Sequence, residues 1–253
     1  MFNPLSIFRK RKVLLICFDL DNTLYDYSAA ESEAEAYIAE ELCKKFFKKK
    51  LKPIEVLKVY NDVKNSHMHH DLDPRKFSRE LWLAETIEKL RPGQNSRLID
   101  YYCNQYEKKY WDYLVPRIKL FPNTLSTMDS LKISGKYKLA TITDSDGRKD
   151  IKMSRIKALD LEKYFDYIIT TDDTSKNKPS VENWEYLLKL SGLRGEDCMM
   201  VGDHPEVDLI SAKKLGFLTV WNKEHINNDQ HYRFVDYEIS EIGQLLAILK
   251  KLS

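Results

Sequence analysis

No run of apolar residues in this 253-residue chain approaches the ~20 needed to cross a bilayer, so no membrane-spanning helix is expected. The basic stretch from Phe2 to Lys12 holds too few consecutive apolar residues for a signal peptide and reads as a solvated leader. An excess of one charge is missing too. The 41 Lys and Arg residues meet 39 Asp and Glu, leaving +2, so no strong field draws the chain to nucleic acid or to a membrane surface. Cysteine is scarce and scattered. Cys17, Cys43, Cys103 and Cys198 show neither redox nor metal-ligand spacing, which predicts reduced thiols in a cytoplasmic protein. Internal repeats and low-complexity tracts are absent. What remains is ordinary globular composition, with length for one large domain or two small ones.

The pattern that is present starts with a strand. Val13 to Phe18 is an unbroken apolar run, as expected for a strand buried on both faces of a parallel sheet. From Tyr137 onward strand and helix alternate. Strands are predicted at Tyr137–Thr143, Tyr164–Thr170, Cys198–Val201, Phe217–Trp221 and Val235–Ile239. Helices are predicted at Lys149–Leu161, Ser180–Ser191, Pro205–Leu215 and Glu241–Lys250. Between Asp26 and about Tyr113 the period is helical throughout. Ser28-Ala29-Ala30-Glu31 has the form of a capping box. Pro53 opens a second helix, to about Asn65. Asp73-Pro74 gives an N-cap and a first-turn proline for a third, to about Leu90, and Asn95 or Ser96 starts a fourth. The fold class is therefore α/β, a parallel-sheet core with an inserted all-α segment.

Four segments end core strands in chemically suggestive residues. Asp19 and Asp21 follow the first strand. Thr143 and Asp144 end the second. Lys178-Pro179 opens a helix after a polar loop. Gly202-Asp203 follows a fourth strand, with Asp208 five residues on. Strand tips of one parallel sheet lie side by side, at the edge where open α/β folds bind ligands. A carboxylate there can attack phosphorus, and a second can shuttle a proton. Asp19, Asp203 and Asp208 offer only oxygen, which suits a hard divalent cation, Mg2+ above all. Thr143 can hold phosphate oxygens and Lys178 can supply positive charge. Taken singly, each has a plainer reading: turn acids, a strand-end hydroxyl, a solvated lysine, a helix N-cap and a first-turn acid.

Together, Asp19-x-Asp21-x-Thr23, Thr143, Lys178-Pro179 and Gly202-Asp203-(x)4-Asp208, in that order, resemble the haloacid dehalogenase superfamily of phosphatases. The helical insert resembles the α-helical (C1-type) cap of one subfamily. The resemblance implies a Rossmann-like core over residues 1–27 and 113–253, with the cap over 28–112. It implies a Mg2+-dependent hydrolase of small phosphate monoesters. Asp19 would be the nucleophile that becomes an aspartyl-phosphate, and Asp21 the general acid and base. Mg2+ would be held by Asp19, the Asp21 backbone carbonyl and Asp203, with Asp208 acting through water. Thr143 and Lys178 would bind the phosphoryl group, beside Asp144.

Asp144 stands where that family often has asparagine, and His204 where serine is common. Lys176 is a competitor for the role of Lys178. His67, His69, His70 and Arg75 fall in an expected loop between cap helices. They read as solvated, with substrate contact by His67, His69 and Arg75, or a second metal on the histidines, as the functional alternatives. Tyr102, Tyr106 and Trp111 read as helix packing or as a substrate platform. Three rival functions stay open: a metal-independent 2-haloacid dehalogenase, a phosphomutase, and a non-enzymatic phosphate- or partner-binding protein. The expected partner is a small phosphate ester, acting on a monomer or homodimer.

Overall fold

Apolar alternation across one strand organises the molecule. The computed structural model describes residues 12–68, 72–226 and 230–252. Strand β1 (Leu15–Phe18) is buried at every position. Leu15 and Cys17 enter one apolar cluster, while Ile16 and Phe18 enter another on the opposite face. A strand covered on both faces needs neighbours on both edges, and β1 has them. After the small pair β2 (Tyr25–Asp26) and β3 (Lys119–Leu120) come β4 (Lys138–Thr143), β5 (Tyr167–Thr170), β6 (Cys198–Gly202), β7 (Leu218–Asn222) and β8 (Tyr237–Ile239). The main sheet runs β5-β4-β1-β6-β7-β8, and every pairing in it is parallel. Its carboxyl edge therefore brings together the ends of β1, β4 and β6. Those strands carry the acids and the hydroxyl singled out in the sequence.

Four helices form the insert: α1 (Tyr27–Glu41), α2 (Pro53–Met68), α3 (Arg79–Leu90) and α4 (Ser96–Leu114). Helices α1 and α3 each pack on both α2 and α4. The apolar cluster on the Ile16 face continues into this bundle, through Ala34, Trp82 and Tyr110, so insert and core share buried surface. Helices α5 (Thr124–Ser134), α6 (Lys149–Ala158), α7 (Glu182–Ser191), α8 (Ile210–Lys214) and α9 (Leu245–Leu252) belong to the core. None of the four cysteines forms a disulfide, and all are buried. No helix among the described residues is long and apolar enough to cross a membrane.

The local details differ from the sequence expectations in instructive places. The Ser28 capping box does not form. Helix α1 starts one residue before Ser28, with Asp26 as its N-cap accepting from Ala29 N at 3.0 Å. Asn22 takes the amides of Tyr27 and Ser28 at 3.1 and 2.9 Å, so three first-turn donors are satisfied from upstream. Asn22 does this from a left-handed conformation, φ 61°, which asparagine tolerates. The expected third helix is two elements. Asp73 caps a short 3-10 turn, Pro74–Phe77, and Ser78 then caps α3 through Leu81 N. Helix α2 runs on to Met68, which places His67 on a helix rather than in a loop. The expected helix from Pro205 opens as a π-helical turn, Pro205–Leu209, before α8.

Candidate active site

The end of β1 delivers Asp19 into a buried charge cluster. Lys178 donates to Asp19 Oδ1 at 2.6 Å and to Asp208 Oδ1 at 2.7 Å, with its side chain 3% exposed. Thr23 Oγ1 lies 3.1 Å from Asp19 Oδ2 and 3.2 Å from Asp203 Oδ1, bridging the first and last motifs. The second oxygen of Asp208 accepts from His204 N at 2.9 Å. Strand β7 buttresses the loops from below: Trp221 Nε1 donates to Asp203 O, and Asn222 donates to Thr23 O. Gly202 is required by this crowding. A Cβ there would sit 2.5 Å from Asp208 Cβ. Carboxylate oxygens of Asp19, Asp203 and Asp208 lie within 4.8 Å of one another.

Negative charge exceeds its compensation. Burial pushes the Asp19 carboxyl up to about 7, with Asp208 and Asp21 adding to the rise and Lys178 opposing it. Asp203 is raised by burial, then by Asp208 and Asp19. Burial would lower the Lys178 pKa, but Asp19, Asp208 and Asp144 outweigh it and hold the ammonium charged. Three like charges at this spacing with one lysine make an all-oxygen cluster that a hard divalent cation would neutralise. The donor set fits such an ion.

Asp21 has a different environment. It lines the same cavity of about 340 Å³ that holds Asp19, Lys178, Asp203 and Asp208. Yet both its oxygens are bound from behind. Oδ1 accepts from Tyr25 Oη at 2.6 Å and Arg155 Nη1 at 2.5 Å, and Oδ2 from Arg155 Nη2 and Lys152 Nζ, each at 3.0 Å. Burial would raise its pKa, but Arg155 and Lys152 override that and hold the carboxyl far below its usual range. Asp146 takes the other side of the same two cations. Lys152 and Arg155 are each 1% exposed.

Other expected residues separate into those at the cavity and those away from it. Thr143 ends β4 fully buried without lining the cavity, and its hydroxyl has no hydrogen-bond partner among the described residues. Asp144 lines the cavity and accepts from Lys178 N at 2.9 Å, so it fixes the lysine's peptide. Lys178, not Lys176, reaches Asp19. Lys176 lines a separate surface cleft together with Arg75. Arg75 is an exposed partner of Asp73 there and does not line the Asp19 cavity. His67 hydrogen-bonds Glu85 at 3.0 Å, also away from the cavity. His69 and His70 lie outside the described residues. Tyr102 and Tyr106 stack on each other, Trp111 lines a separate cleft beside Arg155, and none of the three lines the Asp19 cavity.

The insert's contribution to the wall comes instead from Tyr27, Ser28, Glu31, Met68, Phe77, Arg79 and Trp82. Sequence reading missed Arg79 and the Lys152–Arg155 pair. A signal for the pair existed. Lys152, Arg155, Ile156 and Leu159 share one helical face, so two cations sit on the stripe that must cover the sheet.

Comparison with known proteins agrees with this geometry. The family model described as haloacid dehalogenase-like hydrolase matches residues 16–221. The glyceraldehyde 3-phosphate phosphatase of Pyrococcus furiosus is 27% identical, with 95% of each chain covered. A 2-haloacid dehalogenase from Pseudomonas syringae superposes with a TM-score of 0.75 at 22% identity, covering 95% of this chain and 100% of the other. A HAD phosphatase from Thermococcus onnurineus superposes with a TM-score of 0.71, also at 22%, covering 94% and 98%.

Proposed function

The chain belongs to the haloacid dehalogenase-like hydrolases, and we propose that it hydrolyses small phosphate monoesters with Mg2+, through an aspartyl-phosphate on Asp19. One observation carries this reading: Asp19, Lys178, Asp203 and Asp208 converge at the mouths of β1 and β6 around one cavity. Asp19 attacks phosphorus and the ester oxygen leaves. Asp21 is assigned the proton of that oxygen and later one from the water that releases phosphate; Arg155 and Lys152, which hold it ionised, must give way before it can carry the first of these. Lys178 holds Asp19 in place and offers its charge to the phosphoryl oxygens. The Thr143 hydroxyl is buried and unpartnered but does not line the cavity, so its assigned contact with one of those oxygens needs the end of β4 to open toward the site; making it would recover the ~1–3 kcal/mol lost by an unsatisfied buried group.

Asp19, the Asp21 carbonyl and Asp203 would hold Mg2+, with Asp208 through water. When bound, the ion neutralises phosphoryl charge and orients it. Asp208 accepts one donor on each oxygen, Lys178 and His204 N, which anchors it and leaves a lone pair on each for a metal-bound water. The cavity, at about 340 Å³, lies near the small end of ligand pockets and supports a compact leaving group.

The test is a screen of phosphorylated metabolites with and without Mg2+. Phosphate release from compact esters, abolished by chelator and by Asp19→Asn, is expected. Halide release from 2-haloacids in chelator, without phosphate release, would overturn the proposal in favour of dehalogenation. Transfer of the phosphoryl group to a second hydroxyl would mark a mutase.

A further inference from the structure

Four donors occupy the Asp21 carboxylate, and a carboxylate offers about four lone-pair positions. Asp21 must therefore loosen at least one of these contacts before it can meet a leaving group or a water. Arg155 is the donor that touches both oxygens. It is also the one that reaches the cap. Its guanidinium lies 4.6 Å from the ring of Tyr27, the first residue of α1, and 5.8 Å from the ring of Trp111, in the last turn of α4. Those are the two points where the insert leaves and rejoins the core. Asp146 holds the far side of Arg155 at 3.0 to 3.2 Å, so the group is fixed from three directions.

Resting on the phosphatase reading above, we propose that Arg155, backed by Lys152, is a positioning residue. It aims the Asp21 carboxylate and ties that aim to the seating of the cap through Tyr27 and Trp111. The two cations sit on α6, outside the motifs of the reaction itself, and touch no atom of Asp19, Lys178 or Asp203 that the structure records. Lys152 also lines the cavity, whereas Arg155 does not, so the effect of Arg155 must reach the chemistry through Asp21. A bidentate fork fixes both the position and the plane of a carboxylate, which a single ammonium does not.

The experiment compares an alkyl phosphate with an aryl phosphate, whose leaving group needs little protonation. Arg155→Lys, Arg155→Met, Lys152→Gln and Trp111→Leu are measured beside Asp21→Asn, with thermal unfolding and Mg2+ half-saturation for each. For Arg155→Met the alkyl turnover is expected to fall about tenfold or more, and the aryl turnover much less, because misaiming a proton donor costs the step that uses it. Arg155→Lys should move the alkyl-to-aryl ratio the same way by a smaller factor. KM and Mg2+ half-saturation should hold within about twofold.

A merely structural Arg155 would lower melting temperature and scale both esters equally. That result in folded Arg155→Lys, with the wild-type ratio retained, overturns the proposal. Should Arg155→Met not fold, Arg155→Lys and Lys152→Gln decide it. A ratio unmoved by Trp111→Leu but moved by Arg155→Lys overturns the cap link alone. If Asp21→Asn itself leaves the ratio unchanged, the acid assignment fails. If Asp21→Asn moves it and the Arg155 variants do not, only the present inference fails.

Discussion

Replacing Lys178 by methionine is the sharpest probe of the charge cluster. Methionine keeps most of the stem volume and removes the only ammonium that touches Asp19 and Asp208 among the described residues. The lysine is almost fully buried, so solvent cannot take over its role. Removing one partner of a buried ion pair costs ~3–5 kcal/mol, because the remaining charge is left uncompensated. For a chain of this size each kcal/mol moves the melting temperature by ~2–4 °C, so Lys178→Met should melt roughly 6–20 °C lower in chelator at neutral pH.

The deficit depends on ionised carboxylates. Lys178 opposes the rise of the Asp19 and Asp144 carboxyls, so losing it raises their folded-state pKa further and the native state then binds more protons than the unfolded chain. The penalty is therefore present at neutral pH and shrinks as pH falls toward the unfolded carboxylate value of ~4. Mg2+ should narrow the gap by supplying the missing positive charge, while turnover stays depressed by ~10²-fold or more, the usual cost of losing a preorganised electrostatic contact. The assay is thermal unfolding with and without Mg2+ across pH, beside turnover. A Lys178→Met protein that melts with the wild type in chelator at neutral pH would refute the uncompensated-cluster argument.

Further outcomes follow from the same cluster. Asp19→Asn should abolish turnover yet leave the metal-free protein as stable as wild type or more so, since it removes a carboxylate whose ionisation burial opposes; calorimetry beside turnover checks both halves. The wild type without Mg2+ should lose stability as pH rises from ~4 toward 7, because Asp19 titrates near 7 when folded and near ~4 when unfolded, and saturating Mg2+ should flatten that slope in denaturant titrations. Gly202→Ala should cost ~1–3 kcal/mol by overpacking and raise the Mg2+ concentration needed for activity, because the new methyl displaces Asp208; an alanine variant with wild-type Mg2+ dependence would contradict the contact.

Much of the core was legible because its signals are local. A strand buried on both faces writes its apolar run into consecutive residues, as Leu15 to Phe18 do, and the following Asp19 and Asp21 fall at its mouth by chain continuity. Gly202 was legible as part of a motif, although its reason is the approach of Asp208. Element ends were less legible. The Ser28 capping box lost to Asn22 and Asp26: Asn22 holds the Ser28 amide that Glu31 would have taken, and Asp26 caps the helix two residues earlier through Ala29 N. His67 looked like loop until α2 continued beneath it, because helical propensity near Asn65 is weak and packing on α3 prolongs the helix.

What the sequence by itself determined was the alternation of elements, the helical insert after β1, and the residue types at the strand tips. Each of these depends on periods of two or 3.6 residues and on neighbours along the chain. Only the tertiary structure decided which charges meet. Arg155 binds Asp21 across 134 positions of sequence, and Lys178 binds Asp19 across 159. Those meetings depend on the strand order β5-β4-β1-β6-β7-β8, which puts β4 and β6 on either side of β1. They depend also on α6 turning its cations inward under the cap. Local periodicity carries no record of either, because a side chain's partner is set by where the backbone returns and not by what lies next to it in the chain.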